Sequence, residues 1–267
     1  MHKYIEPMTS RPDAPPMAAG GAGPSGGRLT AATHWLALGR RHAGGRCAVC
    51  RGWCAGDLCA FCTARFALEQ PRCDGCALAL AATGAPRDAV CTRCRLAPPP
   101  WSRAVAGVDY GYPWDRLLAD FKFHQRLEAV GALLQPLLAR LQGERGGDWR
   151  VVAVPLSRER LRERGYNQSW ELARRLARAL ALEARADALF RVRDTGHQLG
   201  LHRDARQANL RDAFVVVPRH AAWVRGARIA LVDDVLTTGA TARAAARTLR
   251  AAGAREVQVW TVARTPE

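Results

Sequence analysis

The sequence predicts an α/β protein: a mainly parallel sheet flanked by helices, preceded by a small cysteine-rich module. Three observations lead there. From about residue 104 onward, strand-like and helix-like segments alternate, the order expected of a parallel sheet with helical crossovers. The run Ile-Ala-Leu-Val at 229–232 is apolar without alternation, as in a short strand covered on both faces. All nine cysteines lie between residues 47 and 94, so the chain divides there. A length of 267 residues accommodates one substantial domain and a small module.

Residues 1–44 open the chain with Gly/Pro/Ala-rich stretches such as APPMAAGGAGPSGG. They offer little to bury and are expected to be disordered, with Met8 and Met17 as later candidate starts. The N-terminus lacks the charged, apolar and cleavage regions of a signal peptide. No unbroken apolar run approaches 18 residues, which argues against a membrane span and for a cytoplasmic protein. A formal charge of +16 permits nucleic-acid or polyphosphate binding. Lysine occurs only at Lys3 and Lys122, however, and so arginine-rich a charge fits a GC-rich coding bias as well as a basic face.

Residues 45–98 read as a double zinc ribbon. Eight cysteines form four Cys-x-x-Cys pairs, Cys47/Cys50, Cys59/Cys62, Cys73/Cys76 and Cys91/Cys94, and Cys54 is left over. Two intervening residues let both sulfurs of a pair reach one ion, and two pairs complete a tetrahedral thiolate site. The simplest assignment is sequential, pairs one and two in one site and pairs three and four in the other; interleaved pairing stays open. A four-cysteine site has no open position, so such zinc is structural. The stretch APPPWSR at 97–103 then reads as a linker, since consecutive prolines resist helix and sheet pairing.

The larger domain spans 99–267. Residues 104–110 read as its first strand, and 113–141 carry helical periodicity with a break near Gln125 and Arg126. A short buried strand at 151–154 ends at Pro155. At 167–180, Trp170, Ala173, Leu176, Ala177 and Leu180 fall on one helical face. A strand at 229–232, a helix at 241–252 closed by Gly253 and a strand at 256–262 complete the pattern.

The stretch VDDVLTTGAT at 232–241 carries the chemistry. Ligands of parallel sheets sit beyond the carboxyl ends of the strands, where this stretch falls. A turn leading into a helix presents free N–H groups and a positive dipole end, which suit a phosphate. Thr237, Thr238 and Thr241 add hydroxyls, and Gly239 admits close backbone approach. Asp233 and Asp234, each able to accept two hydrogen bonds, suit the 2′ and 3′ hydroxyls of a ribose. The Gly-Lys-Ser/Thr ending of a P-loop does not occur here.

Apolar strand, Asp-Asp, two apolar residues and Thr-Thr-Gly-x-Thr resemble the PRPP-binding signature of type I phosphoribosyltransferases. The rest of the chain resembles the ComF family, also called ComFC or GntX, which joins a cysteine zinc module to such a domain. RERGYNQSWELAR at 162–174 is similar to that family's Arg-Gly-Phe/Tyr-Asn-Gln segment followed by Leu-Ala. FKFHQRLEAVGALL at 121–134 resembles its Lys-containing helix pair, although Gln125 stands where glycine is more usual. TGHQLGLHRDARQANLRDAF at 195–214 resembles its Thr-x-x-Gln, Arg-x-x-Asn and Phe block. The matches cover about residues 45–265.

The resemblance implies a type I phosphoribosyltransferase-like fold that binds PRPP with Mg²⁺ bridging pyrophosphate and ribose oxygens. Asp233 and Asp234 would hold the ribose, and Thr237, Thr238, Gly239, Ala240 and Thr241 the 5′-phosphate. Leu156, Ser157 and Arg158, with Arg164 as a further candidate, resemble the pyrophosphate loop. Residues 191–212 resemble the loop that closes over PRPP, where Thr195, Gln198, Arg206 and Asn209 either contact phosphate or hold the closed loop. Lys122 reads equally as a phosphate contact or a surface lysine, and Glu159, Asp194 and His197 are the nearest candidates for a general base. Two functions follow: phosphoribosyl transfer to an open acceptor, linked to natural competence and DNA uptake, or an accessory protein associated with single-stranded DNA that retains a PRPP pocket. In either case single-stranded DNA, a competence helicase or other uptake proteins are the expected partners.

Overall fold

The structure, a computed structural model, describes residues 45–80, 89–192 and 213–266. The expectations for residues 1–44 and for Thr195, Gln198, Arg206, Asn209, Asp194 and His197 lie outside the described residues.

In the cysteine-rich segment β1 (Gly45–Arg46) and β2 (Trp53–Cys54) pair antiparallel, and helices α1 (Ala60–Phe66) and α2 (Thr92–Leu96) follow. Each helix starts on a cysteine: Cys59 and Cys91 are the N-caps, and Cys59 Sγ accepts the Cys62 N–H at 3.4 Å. The larger part runs β3 (Arg103–Asp109), α3 (Trp114–Phe123), α4 (Val130–Arg140), β4 (Trp149–Ala153), α5 (Arg158–Arg164), α6 (Gln168–Leu180) and β5 (Glu183–Arg185). It continues through β6 (Leu189–Arg191), β7 (Phe214–Val216), α7 (Ala221–Val224), β8 (Arg228–Leu236), α8 (Ala240–Ala251) and β9 (Glu256–Arg264).

Five strands form one sheet in the order β3-β9-β8-β4-β5, with every neighbouring pair parallel. Strands β6 and β7 form a separate antiparallel ribbon. After β4 the chain crosses to β5 on one side, and after β8 it crosses to β9 on the other. The strand order therefore reverses between β4 and β8, and a crevice opens outside their carboxyl ends.

Apolar residues cover both faces of the sheet. One layer packs α3, α4 and α6, with Leu118, Leu133, Leu172 and Leu176, against Val151, Ala230, Val232 and Trp260. The other packs the small residues of α8, Ala242, Ala245 and Ala246 among them, against Val152, Ile229, Leu231 and Val259. Both layers are buried, which is why β8 reads as an unbroken apolar run. Cys47, Leu58 and Cys62 belong to the first layer and Trp101 to the second, so the cysteine segment and the sheet share core.

The elements differ from expectation in two places that matter for the site. Strand β8 continues through the acids to Leu236, because β9 keeps pairing with it, Asp233 opposite Thr261 and Val235 opposite Ala263. Its other neighbour stops at Ala153 opposite Val232, so from Asp233 onward β8 borders the open crevice. Residues 158–164, read as loop, form α5. Ser157 caps it by accepting the Arg160 N–H at 3.3 Å, and Gly165 closes it at φ 76°.

Candidate functional site

Strand β8 delivers the two acids to the crevice, and two helices meet them there. Ser169, buried in the first turn of α6, donates its hydroxyl to Asp233 Oδ1 at 2.9 Å. The Asp234 N–H donates to the same oxygen at 2.9 Å. Lys122, in the last turn of α3, places Nζ 3.0 Å from Asp234 Oδ2; the two side chains are 20% and 14% exposed. Burial, followed by the Asp234 charge, pushes the Asp233 carboxyl up to about 7, against the opposing pull of Ser169, the Asp234 N–H and Lys122. Two carboxylates this close resist ionising together unless donors or cations approach them.

The segment RGYNQ at 164–168 is the clip that brings these helices in. Asn167 caps α6, accepting from the N–H groups of Ser169 at 3.0 Å and Trp170 at 3.4 Å, while its amide donates to the Val154 carbonyl at 3.2 Å. The Tyr166 hydroxyl donates to the Phe121 carbonyl, and the buried Gln168 amide donates to the Lys122 carbonyl at 3.4 Å. One short segment therefore ties the end of β4, the end of α3 and the start of α6 together. The sequence motif is legible as a motif, but its work is to seat Ser169 and Lys122 on the acids.

Beyond Leu236, Thr237 and Thr238 are exposed and Gly239 is buried at φ 75° as the N-cap of α8. Thr238 Oγ1 accepts the Ala240 N–H at 3.4 Å, and the first intrahelical bond is Arg243 N–H to Gly239 O at 2.8 Å. The N–H groups of Thr241 and Ala242 fall among the first four of the helix, which have no intrahelical acceptor. With the dipole of a 12-residue helix behind them, they suit an anion.

On the opposite lip, after β4, Leu156 is half-buried and Ser157 is buried as the cap of α5. Arg158 and Arg164 stand at the two ends of that helix. The Arg158 guanidinium lies over the Phe190 ring at 5.6 Å and that of Arg164 over Phe123 at 5.3 Å, with Arg164 Nη1 donating to Gln168 Oε1 at 3.2 Å. Arg164 Nε is buried with no acceptor among the described residues. Gln125, the departure from the family's usual glycine, adopts φ 54°, the left-handed region that glycine occupies without strain.

The cysteines gather sequentially into two clusters, Cys47/Cys50/Cys59/Cys62 and Cys73/Cys76/Cys91/Cys94, each with all sulfurs within 4.8 Å of one another. Either could hold a metal ion. Cys50 and Cys59 Sγ are 3.7 Å apart and Cys76 and Cys91 Sγ 3.8 Å. A tetrahedron of ~2.3 Å zinc–sulfur bonds has an edge of ~3.8 Å, so the donors fit that ion. Although burial raises it, Cys47 is brought down to about 6 by the N–H groups of Cys59, Cys50 and Val49; burial and the neighbouring thiols push Cys62 up to about 12. Cys54 stands apart, its thiol donating to the Gly56 carbonyl at 2.9 Å.

Ser169, Trp101 and Arg264 escaped the sequence reading. Ser169 had one signal, its place two residues after the Asn cap of a helix aimed at the acids. Trp101 lies in the apparent linker yet is buried, and Arg264 ends β9 with 3% exposure; a lone polar residue at a strand end gives no signal in sequence.

Comparison with known proteins follows the same outline. The family model for the phosphoribosyl transferase domain matches residues 167–267. The DNA utilization protein YhgH of Escherichia coli (strain K12) is 36% identical over 214 residues, 78% of this chain and 90% of that protein. Competence protein F of Haemophilus influenzae is 34% identical over 180 residues, 65% of this chain and 78% of that one. Among solved structures, an allosteric regulatory enzyme of purine biosynthesis is similar with 22% identity and a TM-score of 0.37, covering 54% of this chain and 30% of that chain.

Proposed function

Because the chain belongs to the ComF family of phosphoribosyltransferase-domain proteins, we propose that it binds PRPP in the crevice between β4 and β8 and transfers its phosphoribosyl group to an acceptor. The observation that carries this reading is the placement of Asp233 and Asp234 at the mouth of the strand-order reversal, directly before a helix N-terminus capped by Gly239. The names of the relatives support a setting in DNA utilisation or competence.

In this reading the acids accept hydrogen bonds from the ribose 2′ and 3′ hydroxyls, and the loop 237–241 holds the 5′-phosphate. As pyrophosphate leaves, positive charge grows on the ribose ring, and two carboxylates fixed beside it stabilise that charge without having to reorganise. Hydroxyl donors favour the ionised form of Asp233, so ligand binding near neutral pH releases a proton. Arg158, Arg164 and the amides after β4 meet the departing pyrophosphate. Mg²⁺ bound with PRPP would supply further neutralisation of the leaving group's charge. The two cysteine clusters hold structural zinc, four thiolates each.

Calorimetric titration of PRPP with Mg²⁺ into the wild type and into Asp233→Ala/Asp234→Ala tests this. Saturable binding by the wild type and its loss in the double variant are expected. A wild type that takes up no PRPP would sink the reading.

A second reading, an accessory protein on single-stranded DNA that keeps a PRPP pocket, draws on one observation. The first cysteine cluster carries Trp53 and Phe61 at 75% and 69% exposure, with the Arg46 guanidinium 5.5 Å from the Trp53 ring and Arg51 and Arg65 exposed nearby in sequence. Stacking surfaces with interleaved cations suit unpaired bases. If this reading holds, Trp53→Ala/Phe61→Ala weakens binding of an oligonucleotide at every salt concentration. Unchanged affinity would remove this surface from DNA binding.

A further inference from the structure

We propose that the second cysteine cluster is a working support of the phosphate loop, with Trp101 and Arg264 as positioning residues, so that metal at this cluster and PRPP in the crevice stabilise each other. The inference rests on the PRPP reading above and adds a coupling that the first cluster does not share.

The path is short. Gly75 sits between Cys73 and Cys76, where a Cβ would stand 2.7 Å from Cys94 Cβ and 2.8 Å from Cys94 Sγ, so the backbone here is pressed against the metal ligands. The Gly75 carbonyl accepts the indole N–H of Trp101 at 2.8 Å. The far edge of that indole, Cη2, lies 3.4 Å from where a Cβ on Gly239 would stand. Trp101 thus spans from the cluster to the residue that starts the phosphate-binding helix.

A second strut runs in parallel. Arg264, buried at the end of β9, donates from Nε to the Cys76 carbonyl at 2.8 Å and from Nη1 to the Leu236 carbonyl at 3.0 Å. Leu236 is the last strand residue before Thr237, and its carbonyl also accepts the Thr265 N–H at 3.1 Å. From α8, Arg243 places its guanidinium over the Trp101 ring at 5.4 Å. A buried guanidinium whose partners are main-chain carbonyls is far less costly next to net negative charge, and a zinc ion bound by four thiolates carries it. Disassembling the cluster therefore frees the carbonyls of Gly75 and Cys76 and slackens both ends of the loop.

The first cluster meets the sheet differently. Its contacts go to the helical layer: the Trp114 indole N–H donates to the Phe66 carbonyl at 2.9 Å, and the Gln135 amide to Thr63 Oγ1 at 3.5 Å. Trp114 opens α3 and Lys122 stands in its last turn, so among the described residues this path from the cluster to the acids runs the length of a helix.

Coupling between two binding sites is reciprocal, which gives a readout independent of turnover. The zinc-loaded wild type is alkylated at its cysteines with and without PRPP and Mg²⁺, and each cysteine is followed by peptide mass spectrometry. PRPP is expected to slow modification of Cys73, Cys76, Cys91 and Cys94 by about fivefold or more, and to leave Cys47, Cys50, Cys59 and Cys62 within about twofold. Trp101→Phe keeps an aromatic side chain but removes both the indole N–H bond to Gly75 and the Cη2 edge beside Gly239. It is expected to weaken PRPP binding about fivefold and to abolish the protection while the zinc content stays that of the wild type. A wild type that binds PRPP by calorimetry yet protects both clusters equally, or neither, overturns the coupling and leaves the PRPP reading standing. Absence of PRPP binding overturns both.

Discussion

On the β8 side of the crevice, Asp233, Asp234 and the loop 237–241 hang from a strand paired along its length with β9 and backed by buried residues on both faces. On the β4 side, Arg158 and Arg164 stand on a seven-residue helix and rest on the rings of Phe190 and Phe123. One lip gathers like charge in a partly buried position and holds it there with Ser169 and Lys122. The other offers two guanidiniums on a short helix, Arg158 exposed and Arg164 half-buried. The contrast teaches that the β8 lip is fixed by buried partners of its own, whereas the cations of the β4 lip rest on ring faces. Substitutions on the two lips should then differ in size, pH dependence and ligand selectivity.

The largest effect belongs to the acids. Asp233→Asn/Asp234→Asn removes two charge-assisted acceptors, each worth about 1.5–3 kcal/mol, so PRPP affinity measured by calorimetry should fall by at least about 100-fold. A loss no greater than that of the arginine variants would erase the distinction between the lips.

Next comes stability against pH. The Asp233 carboxyl is raised from its ordinary value near 4 to about 7. The unfolded chain therefore loses this proton first, and stability declines as pH rises through that interval. Asp233→Asn abolishes the decline, so at pH 8 the variant should melt several degrees above the wild type, and at pH 4 the two should coincide. Arg158→Gln should give no such pH-dependent difference. Thermal unfolding of all three across pH 4–8 checks this.

The arginines follow. Arg158→Gln and Arg164→Gln should each weaken PRPP binding about five- to tenfold, the range for a partly exposed charged hydrogen bond. Ribose 5-phosphate, which has no pyrophosphate, should bind these variants and the wild type alike. Equal losses for both ligands would mean that the arginines shape the crevice as a whole.

The smallest effect sits beneath the β4 lip, at Gln125. Its φ of 54° costs a non-glycine residue about 1 kcal/mol, partly offset by the greater freedom of glycine in the unfolded chain. Gln125→Gly relieves that strain but also loses the Gln125 amide bond to the Arg164 carbonyl at 3.5 Å, so stability in urea should change by no more than about 0.5 kcal/mol.

The same division governs how much could be read from sequence. The β8 lip was legible because strand, acids, turn and helix follow one another locally, and each residue type there has a physical reason to be adjacent to the next. The strand-order reversal adds the β4 loop to the site, and helical periodicity placed α3 and α6. Hidden from the sequence were the contacts made across it. Ser169 reaches Asp233 over 64 positions, and Arg264 reaches Cys76 over 188; neither carries a local pattern. The linker reading at 97–103 missed Trp101 because prolines report backbone restriction and are silent on where the next side chain is buried. The Gln125 departure was visible as an oddity, and only the backbone angle explained it.

In the proposed site, two adjacent acids read two adjacent hydroxyls. Calorimetric titration of the wild type with ribose 5-phosphate and with 2-deoxyribose 5-phosphate tests it directly, because the ligands differ only in one hydroxyl. A site that hydrogen-bonds that hydroxyl through a charged acceptor should prefer the ribose compound by about tenfold or more, and the preference should vanish in Asp233→Asn/Asp234→Asn. Equal affinity of the wild type for both sugars would contradict it.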